Sequence, residues 1–330
     1  MSDNSRFYSL IIPVYNRPGE VDELLESLTK QEYSHFEVLV IEDGSSDPCD
    51  HIIERYTDKL DLKYFTKENE GQGFTRNYAY ERASGDYFIV FDSDCIIPSH
   101  YLKTVDDHLN TYWLDAFGGP DKSHPSFSDV QKAISYSMTS PYTTGGIRGS
   151  KQHAGTFHPR SFNMGISADV WKKTKGYVIT RMGEDIEFSI RIIKAGFKVG
   201  LIEDAYVYHK RRTDFRQFYR QLFFFGRARI NIGRFYPGEI KFFHLFPVAF
   251  YLGILIWLIV FPWFFPSLFI FGAGMILAYY LIIFMDSYLK NEKSLSIASK
   301  SVVASFIQLF AYGNGFFVEW IKFIKKPYSG

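Results

Sequence analysis

The sequence predicts an α/β fold: a mostly parallel sheet with helices on both faces, followed by C-terminal transmembrane helices. Three observations carry that expectation. Strand and helix patterns alternate from Ser9 to Asp94. The strands among them are near-continuous apolar runs, which marks strands buried on both faces of a parallel sheet. Farther on, Phe242 through Met285 contains no Lys, Arg, Asp or Glu.

Taken in order, SLIIPVY (Ser9–Tyr15) is an apolar strand that ends in the turn NRPGE. VDELLESLTKQ then places Val21, Leu24, Leu25 and Leu28 at helical spacing. FEVLVIED (Phe36–Asp43) is a second buried strand before the turn GSSDP, CDHIIERYTDKL a second helix, and LKYFTK a third, shorter strand. GFTRNYAYERASG is helical from about Phe74 to near Gly85, and DYFIVFDSD is the next strand. From Tyr101 to about Phe162 the pattern weakens, and SPYTTGGIRGSKQHAG reads as a long loop of the kind that carries function. Order resumes at SADVWKKTKGY. EDIEFSIRIIKAG is a helix with Ile186, Ile190 and Ile193 on one stripe and Gly196 as its C-terminal cap. FKVGLIEDAYVYH is strand-like.

With 330 residues the chain is expected to form more than one unit, here 1–235 and 236–330. The net charge of +1 gives no footprint for nucleic acid. Two cysteines, Cys49 and Cys95, form no disulfide framework and suit a reducing compartment. The aromatic share of 18% suits contact with a membrane interface. MSDNSRFYSLII lacks the basic start and apolar run of a signal peptide, so none is expected. At about 20 residues per span, the charge-free stretch allows two transmembrane helices, about 242–264 and 267–286, joined by FPWFFPS. A further apolar segment, about 301–324, is either a third span or an interfacial helix. The basic loop DSYLKNEKSLSIASK and the basic tail KFIKK favour a hairpin with both ends on the cytoplasmic side and the last helix at the surface. The expected location is thus the inner or plasma membrane, multi-pass, with the first unit facing the cytoplasm.

In open parallel sheets ligands bind outside the carboxyl ends of the strands. Asn16, Asp43, Asp92 and Asp94 all stand at such ends. A strand that finishes on D-S-D needs water or a cation there, because burying an unpaired carboxylate is costly. Two hard oxygen donors with open coordination positions suit Mg²⁺ or Mn²⁺ bridging substrate phosphates. A plain turn is the alternative for the tripeptide alone.

SLIIPVYNRP, VLVIEDGSSD, NEGQGFTRN, YFIVFDSD and GEDIEFSIRIIKAG occur in that order, and together they resemble the inverting nucleotide-sugar glycosyltransferases of family 2, over roughly Phe7 to Arg229. The resemblance implies the Rossmann-like GT-A fold, a nucleotide-diphosphate sugar donor, a divalent metal, and transfer of the sugar to an acceptor hydroxyl with inversion. It further implies that Pro13, Tyr15, Asn16 and Asp43 surround the base and ribose. The family usually has two aspartates before the glycine, whereas this chain has Glu42 and Asp43. Arg76, with Gly71 and Gly73 ahead of it, is implied near the nucleotide and diphosphate. Asp94 is the implied direct metal ligand, Asp92 contacts either ribose or metal, and His209 is either a ligand to diphosphate or metal or a structural histidine. Glu184 and Asp185 open a helix. Acidic residues there are favoured by the dipole alone, but the resemblance makes Asp185 the general base. A one-residue step turns the side chain by about 100°, so Glu184 does not share that role and is assigned to substrate binding.

Processive synthases related to the family carry Q-x-x-R-W before the membrane, whereas this chain has Gln217-Phe218-Tyr219-Arg220-Gln221, without the tryptophan. Arg220 and its neighbouring arginines therefore meet either diphosphate or anionic lipid headgroups. The reading that follows is a membrane-anchored enzyme adding one sugar to a lipid-linked or membrane-proximal glycan acceptor in cell-surface glycan assembly. A processive polysaccharide synthase and a non-catalytic nucleotide-sugar-binding scaffold are the alternatives.

Overall fold

The protein was analysed as a computed structural model that describes residues 5–144 and 157–325. It contains two compact units: Met1–His124 with Gly149–Lys210, and Pro125–Arg148 with Arg211–Gly330. The boundary expected after residue 235 therefore falls earlier, after Lys210, and residues 125–148 also belong to the second unit. The physical reason is packing: Phe218 and Leu222 are buried with Ile134, Met138, Ala304 and Ala311 in one apolar cluster.

In the first unit the strands are β1 (Tyr8–Val14), β2 (Phe36–Asp43), β3 (Leu62–Lys67), β4 (Tyr87–Phe91), β5 (Cys95–Ile96), β6 (Ala116–Gly118), β7 (Asp121–Lys122), β8 (Asn163–Ser167), β9 (Val199–Leu201) and β10 (Val207–His209). Seven of them form one sheet in the order β3-β2-β1-β4-β8-β6-β9. Every neighbouring pair is parallel except those made by β8, which runs antiparallel to both β4 and β6. Successive strand residues point to opposite faces, and the core divides accordingly. Leu10, Ile12, Val38, Val40, Ile89 and Phe91 pack with helices Pro18–Leu28 and Tyr101–Thr111. Ile11, Leu39, Ile41, Phe88 and Val90 pack with residues of helices Gln72–Tyr80, Ala168–Thr174 and Glu184–Lys194. The apolar strands are thus buried on both faces.

Several local expectations change. CDHIIERYTDKL is helical only over Asp50–Ile53, and Arg55 and Tyr56 then donate their backbone N–H three residues back in turns. On Glu184–Lys194 the isoleucines Ile186 and Ile190 are buried and Ile193 is half-buried, and Phe188 and Ile192 bury a second side of the helix. FKVGLIEDAYVYH is two strands, β9 in the large sheet and β10 in a small sheet ordered β5-β10-β7. The weak region holds helix Tyr101–Thr111 and helix Asp129–Thr139, the latter started by a Ser128/Gln131 capping box. Part of the long loop, residues 145–156, lies outside the described residues, as does the last lysine of the basic tail, Lys326.

In the second unit three helices are long and apolar enough to cross a membrane: Phe242–Ile259, Pro266–Lys290 and Leu295–Ile324. A short helix, Phe261–Phe264, joins the first two. Leu295–Lys325 packs along Phe215–Phe235, where Glu319 pairs with both Arg227 (2.9 Å) and Arg234 (3.1 Å). Asn314 donates to the Tyr219 hydroxyl at 2.7 Å on the same helix pair.

Gly119 follows β6 where a side chain has no room: a Cβ there would lie 1.9 Å from the Ala205 carbonyl oxygen and 2.3 Å from Asn163 Nδ2. Because the first obstacle is backbone, Gly119→Ala should cost about 3 kcal/mol or more and lower the melting temperature. Gly19→Ala, with nothing within 4 Å of its Cβ, should leave melting unchanged or slightly raised. Equal effects of the two substitutions on thermal melting would contradict this packing account.

Candidate active site

The carboxyl edge of β1, β2 and β4 gathers the first half of the site. Past β1, Tyr15 exposes 53% of its surface, leaving its ring accessible for stacking, and Pro13 is paired in register with Ile41. Asn16 adopts a positive φ of 54°, and its side-chain oxygen accepts from the Ser46 and Asp47 backbone N–H at 2.8 and 3.0 Å. It thus ties the β1 loop to the β2 loop. Glu42, which replaces the family's first aspartate, is buried and accepts from Ser45, the Cys49 N–H and the Tyr64 hydroxyl. Its extra methylene reaches into the loop rather than toward solvent.

Asp43 is also buried. It accepts from Lys67 Nζ at 2.9 Å, Glu70 N–H at 3.0 Å and Gly71 N–H at 2.9 Å. Burial alone would raise its carboxyl, but Lys67 and these N–H donors hold it below the usual range. Asp43 therefore organises the turn that contains Gly71. Gly71 has a φ of +88°, and a Cβ on Gly73 would sit 2.7 Å from the Ile179 carbonyl oxygen. A Cβ on either glycine would meet the chain's own segment Tyr177–Arg181, which packs against them.

Asp94 is buried at the end of β4, with Arg17 donating to Oδ2 and His209 Nε2 3.0 Å from Oδ1. The small sheet delivers the histidine: His209 pairs in register with Cys95, and Lys210 N–H bonds the Asp94 carbonyl at 3.0 Å. Phe162 stacks on the imidazole at 4.8 Å. Burial would push the Asp94 carboxyl up, but His209 and Arg17 hold it well below the usual carboxylate range. Asp94, Cys95 and His209 offer ligand atoms within 4.8 Å of one another. A permanently ionised carboxylate beside an imidazole fits Mn²⁺ or Mg²⁺ with positions left for substrate oxygens. The Cys95 thiol instead donates toward the Phe162 carbonyl. Asp92 is outside this cluster.

Asp92 accepts from Arg76 Nη2 at 3.0 Å. The same guanidinium lies 3.6 Å from Glu184, over the Tyr177 ring at 5.4 Å, and is only 1% exposed. Arg76 is thus a buried bridge between the aspartate after β4 and the acidic helix start, not a solvated surface charge. Gly183, with a φ of +98°, lets the chain turn into that helix. Glu184 faces inward to Arg76 and Gln72. Asp185 is partly exposed, 3.5 Å from Arg160. The two carboxylates therefore diverge as a one-residue step requires. Arg17, Arg160, Tyr177 and Phe162 are missing from the sequence-derived set. Only Arg17, beside the strand-ending NRP turn, carried a local signal. Arg220 lies on helix Phe215–Phe235 in the second unit, with its side chain exposed.

Residues 9–185 match the family model described as Glycosyl transferase family 2. Poly(ribitol-phosphate) beta-N-acetylglucosaminyltransferase TarS of Staphylococcus aureus is 38% identical over 109 residues, which are 31% of this chain and 19% of that protein. The match thus spans about a fifth of that relative's length. Glycosyltransferase AglE of Haloferax volcanii is 25% identical over 240 residues, 70% of this chain and 76% of AglE. Among solved structures, mannosyltransferase PcManGT from Pyrobaculum calidifontis, in complex with GDP-Man and Mn²⁺, superposes with a TM-score of 0.64 at 16% identity, over 93% of this chain and 88% of that one. S. aureus TarS 1–349 with UDP-GlcNAc gives 0.51 at 18%, over 95% and 92%. At these identities the structures establish the shared GT-A fold.

Burial, helped by the neighbouring Asp185, raises the Glu184 carboxyl, with Arg76 and Gln72 opposing. The folded state then holds this proton better than the unfolded chain. That contribution is full below the ordinary glutamate pKa of about 4.3 and is lost as pH rises through the raised value. Glu184→Gln should therefore match the parent below about pH 4 and gain on it as pH rises above the ordinary glutamate pKa of about 4.3. Melting temperatures across that range test the sign, and parallel profiles would contradict it.

Proposed function

Since the chain belongs to glycosyltransferase family 2, we propose that it is an inverting, metal-dependent enzyme that moves one sugar from a nucleotide-diphosphate sugar to a lipid-linked or membrane-proximal glycan acceptor. The observation that carries the reading is the single guanidinium of Arg76, which ties Asp92, two residues before Asp94, to Glu184, next to Asp185. The donor edge and an acid–base group thereby belong to one site. TarS and PcManGT are bound to UDP-GlcNAc and GDP-Man in their structures, which favours a donor of that class here.

Asp94 and His209 would hold the cation, which supplies charge neutralisation for a diphosphate leaving group. Tyr15 offers its ring to the base, and the Asn16 and Asp43 loops shape the nucleotide end. The acceptor hydroxyl attacks the anomeric carbon as the bond from that carbon to the diphosphate oxygen breaks. Asp185 takes the hydroxyl proton, and the electron pair leaves with the nucleoside diphosphate. Arg160, with Nη1 3.5 Å from Asp185 Oδ2, orients the carboxylate.

The location we propose is a membrane hairpin of Phe242–Ile259 and Pro266–Lys290 with helix Leu295–Lys325 along the surface. The hairpin helices are 11% and 6% buried within the protein, against 44% for the third. The third helix meets the hairpin where Gly313 lies against Pro247 and Tyr251, Phe306 lies against Phe250 and Tyr280, and Ser301 hydrogen-bonds Ser287 at 2.8 Å. Its other flank is covered by Phe215–Phe235, whose five arginines (Arg216, Arg220, Arg227, Arg229, Arg234) could not enter hydrocarbon cheaply.

Asp185→Asn should lower transfer by about 10²–10⁴-fold while donor affinity stays within about twofold. Released nucleoside diphosphate and donor titration measure the two, and near-normal transfer would remove Asp185 from the mechanism. A reporter fused to the C-terminus should lie on the same side of the membrane as one fused to the N-terminus. Opposite sides would make Leu295–Lys325 a third span.

A further inference from the structure

We propose that Arg17 is a built-in counter-cation that occupies Asp94 until a divalent ion arrives and then transfers to the donor's diphosphate, so that metal and donor bind cooperatively. The inference rests on the metal-dependent reading above and concerns a residue to which that reading gives no task.

Asp94 lies in the interior, where a carboxylate without a partner is costly. One of its oxygens has His209 at 3.0 Å, and the other takes the Arg17 guanidinium. Asp94 is thus already met by a guanidinium and an imidazole of the protein itself. A cation that ligates Asp94 has to displace the guanidinium or share the oxygen with it, and two positive charges at one carboxylate repel.

Arg17 is also the group best able to leave. It sits at the N-cap of helix Pro18–Leu28, and its side chain is 31% exposed whereas that of Asp94 is 9% exposed. Arg76 contrasts with it, being held from two sides with 1% exposure. Once displaced, the guanidinium stands at the carboxyl edge of β1, the edge where this sheet type receives nucleotides, and its planar fork matches phosphate oxygens. A diphosphate supplies the negative charge that lets metal and guanidinium coexist. Each ligand removes an obstacle to the other, and a coupling of this kind is reciprocal.

The test is titration of Mn²⁺ into the full-length protein in detergent, followed by electron paramagnetic resonance or calorimetry, with and without nucleoside diphosphate. Arg17→Gln should bind Mn²⁺ about tenfold more tightly than the parent when nucleotide is absent. In the same variant the enhancement of Mn²⁺ affinity by nucleotide should shrink by about tenfold, and Arg17→Lys should fall between the two. Asp94→Asn should abolish the Mn²⁺ signal in either background, and thermal melting confirms that each variant is folded. Unchanged or weaker Mn²⁺ binding by Arg17→Gln, with the nucleotide enhancement intact, overturns the proposal and leaves the metal-dependent reading standing. Absence of Mn²⁺ binding in both parent and variant overturns both together.

Discussion

Arg76 carries a full positive charge into the interior at 1% exposure, and the site's geometry follows from what that charge requires. A buried guanidinium must be met by carboxylates or it destabilises the fold by several kcal/mol. Here the partners come from distant parts of the chain: Asp92 from the end of β4 and Glu184 from the start of a helix nearly a hundred residues later. Tyr177 closes the guanidinium from a third side. Satisfying one charge therefore fixes the separation of two acidic segments, and with it the reach between Asp94 and Asp185. The glycines around this bridge serve the same end, since Gly73 admits Ile179 and Thr180 at distances no side chain would allow.

The acidic groups divide their labour by environment. Asp43, Glu42 and Glu184 are buried and spend their oxygens on backbone amides, hydroxyls and cations of the protein itself. Asp185 and Asp92 keep part of their surface open. A buried carboxylate with several donors is a structural device, whereas one with a single partner and an open side remains available for proton transfer or ligand contact. This distinction separates Glu184 from Asp185, which are adjacent in sequence and opposite in environment.

Much of the fold was legible because its signals are local. The runs SLIIPVY, FEVLVIED and YFIVF are apolar throughout, which reports burial on both faces. The D-S-D that follows the third of them placed Asp92 and Asp94 at the carboxyl edge of the sheet. What escaped was information carried by contacts distant in sequence. Arg160 reads as an ordinary loop arginine until β8 places it beside Asp185. Phe162 gives no hint that it will lie over His209. Helix Asp129–Thr139 had its start signal, Ser128 followed by Gln131, but it stood in a Ser- and Thr-rich stretch that reads as loop. That Arg76 would be buried between Asp92 and Glu184 was not legible either, because burial of a helix-face arginine depends on which helices come to cover it.

The path of the backbone between the two units has an evolutionary consequence. The chain leaves the first unit after His124, rejoins it at Gly149 and leaves again after Lys210. The apolar core of the second unit draws Ile134 and Met138 from the first excursion, and Phe218, Ala304 and Ala311 from the last. A helical unit appended at one end of an enzyme can be exchanged by a single recombination event. This one cannot, because any single crossover that replaces the C-terminal helices strands Ile134 and Met138 against a foreign surface. The apolar helices and the family 2 unit are therefore inherited together, and variation in one is expected to leave matching changes in the other.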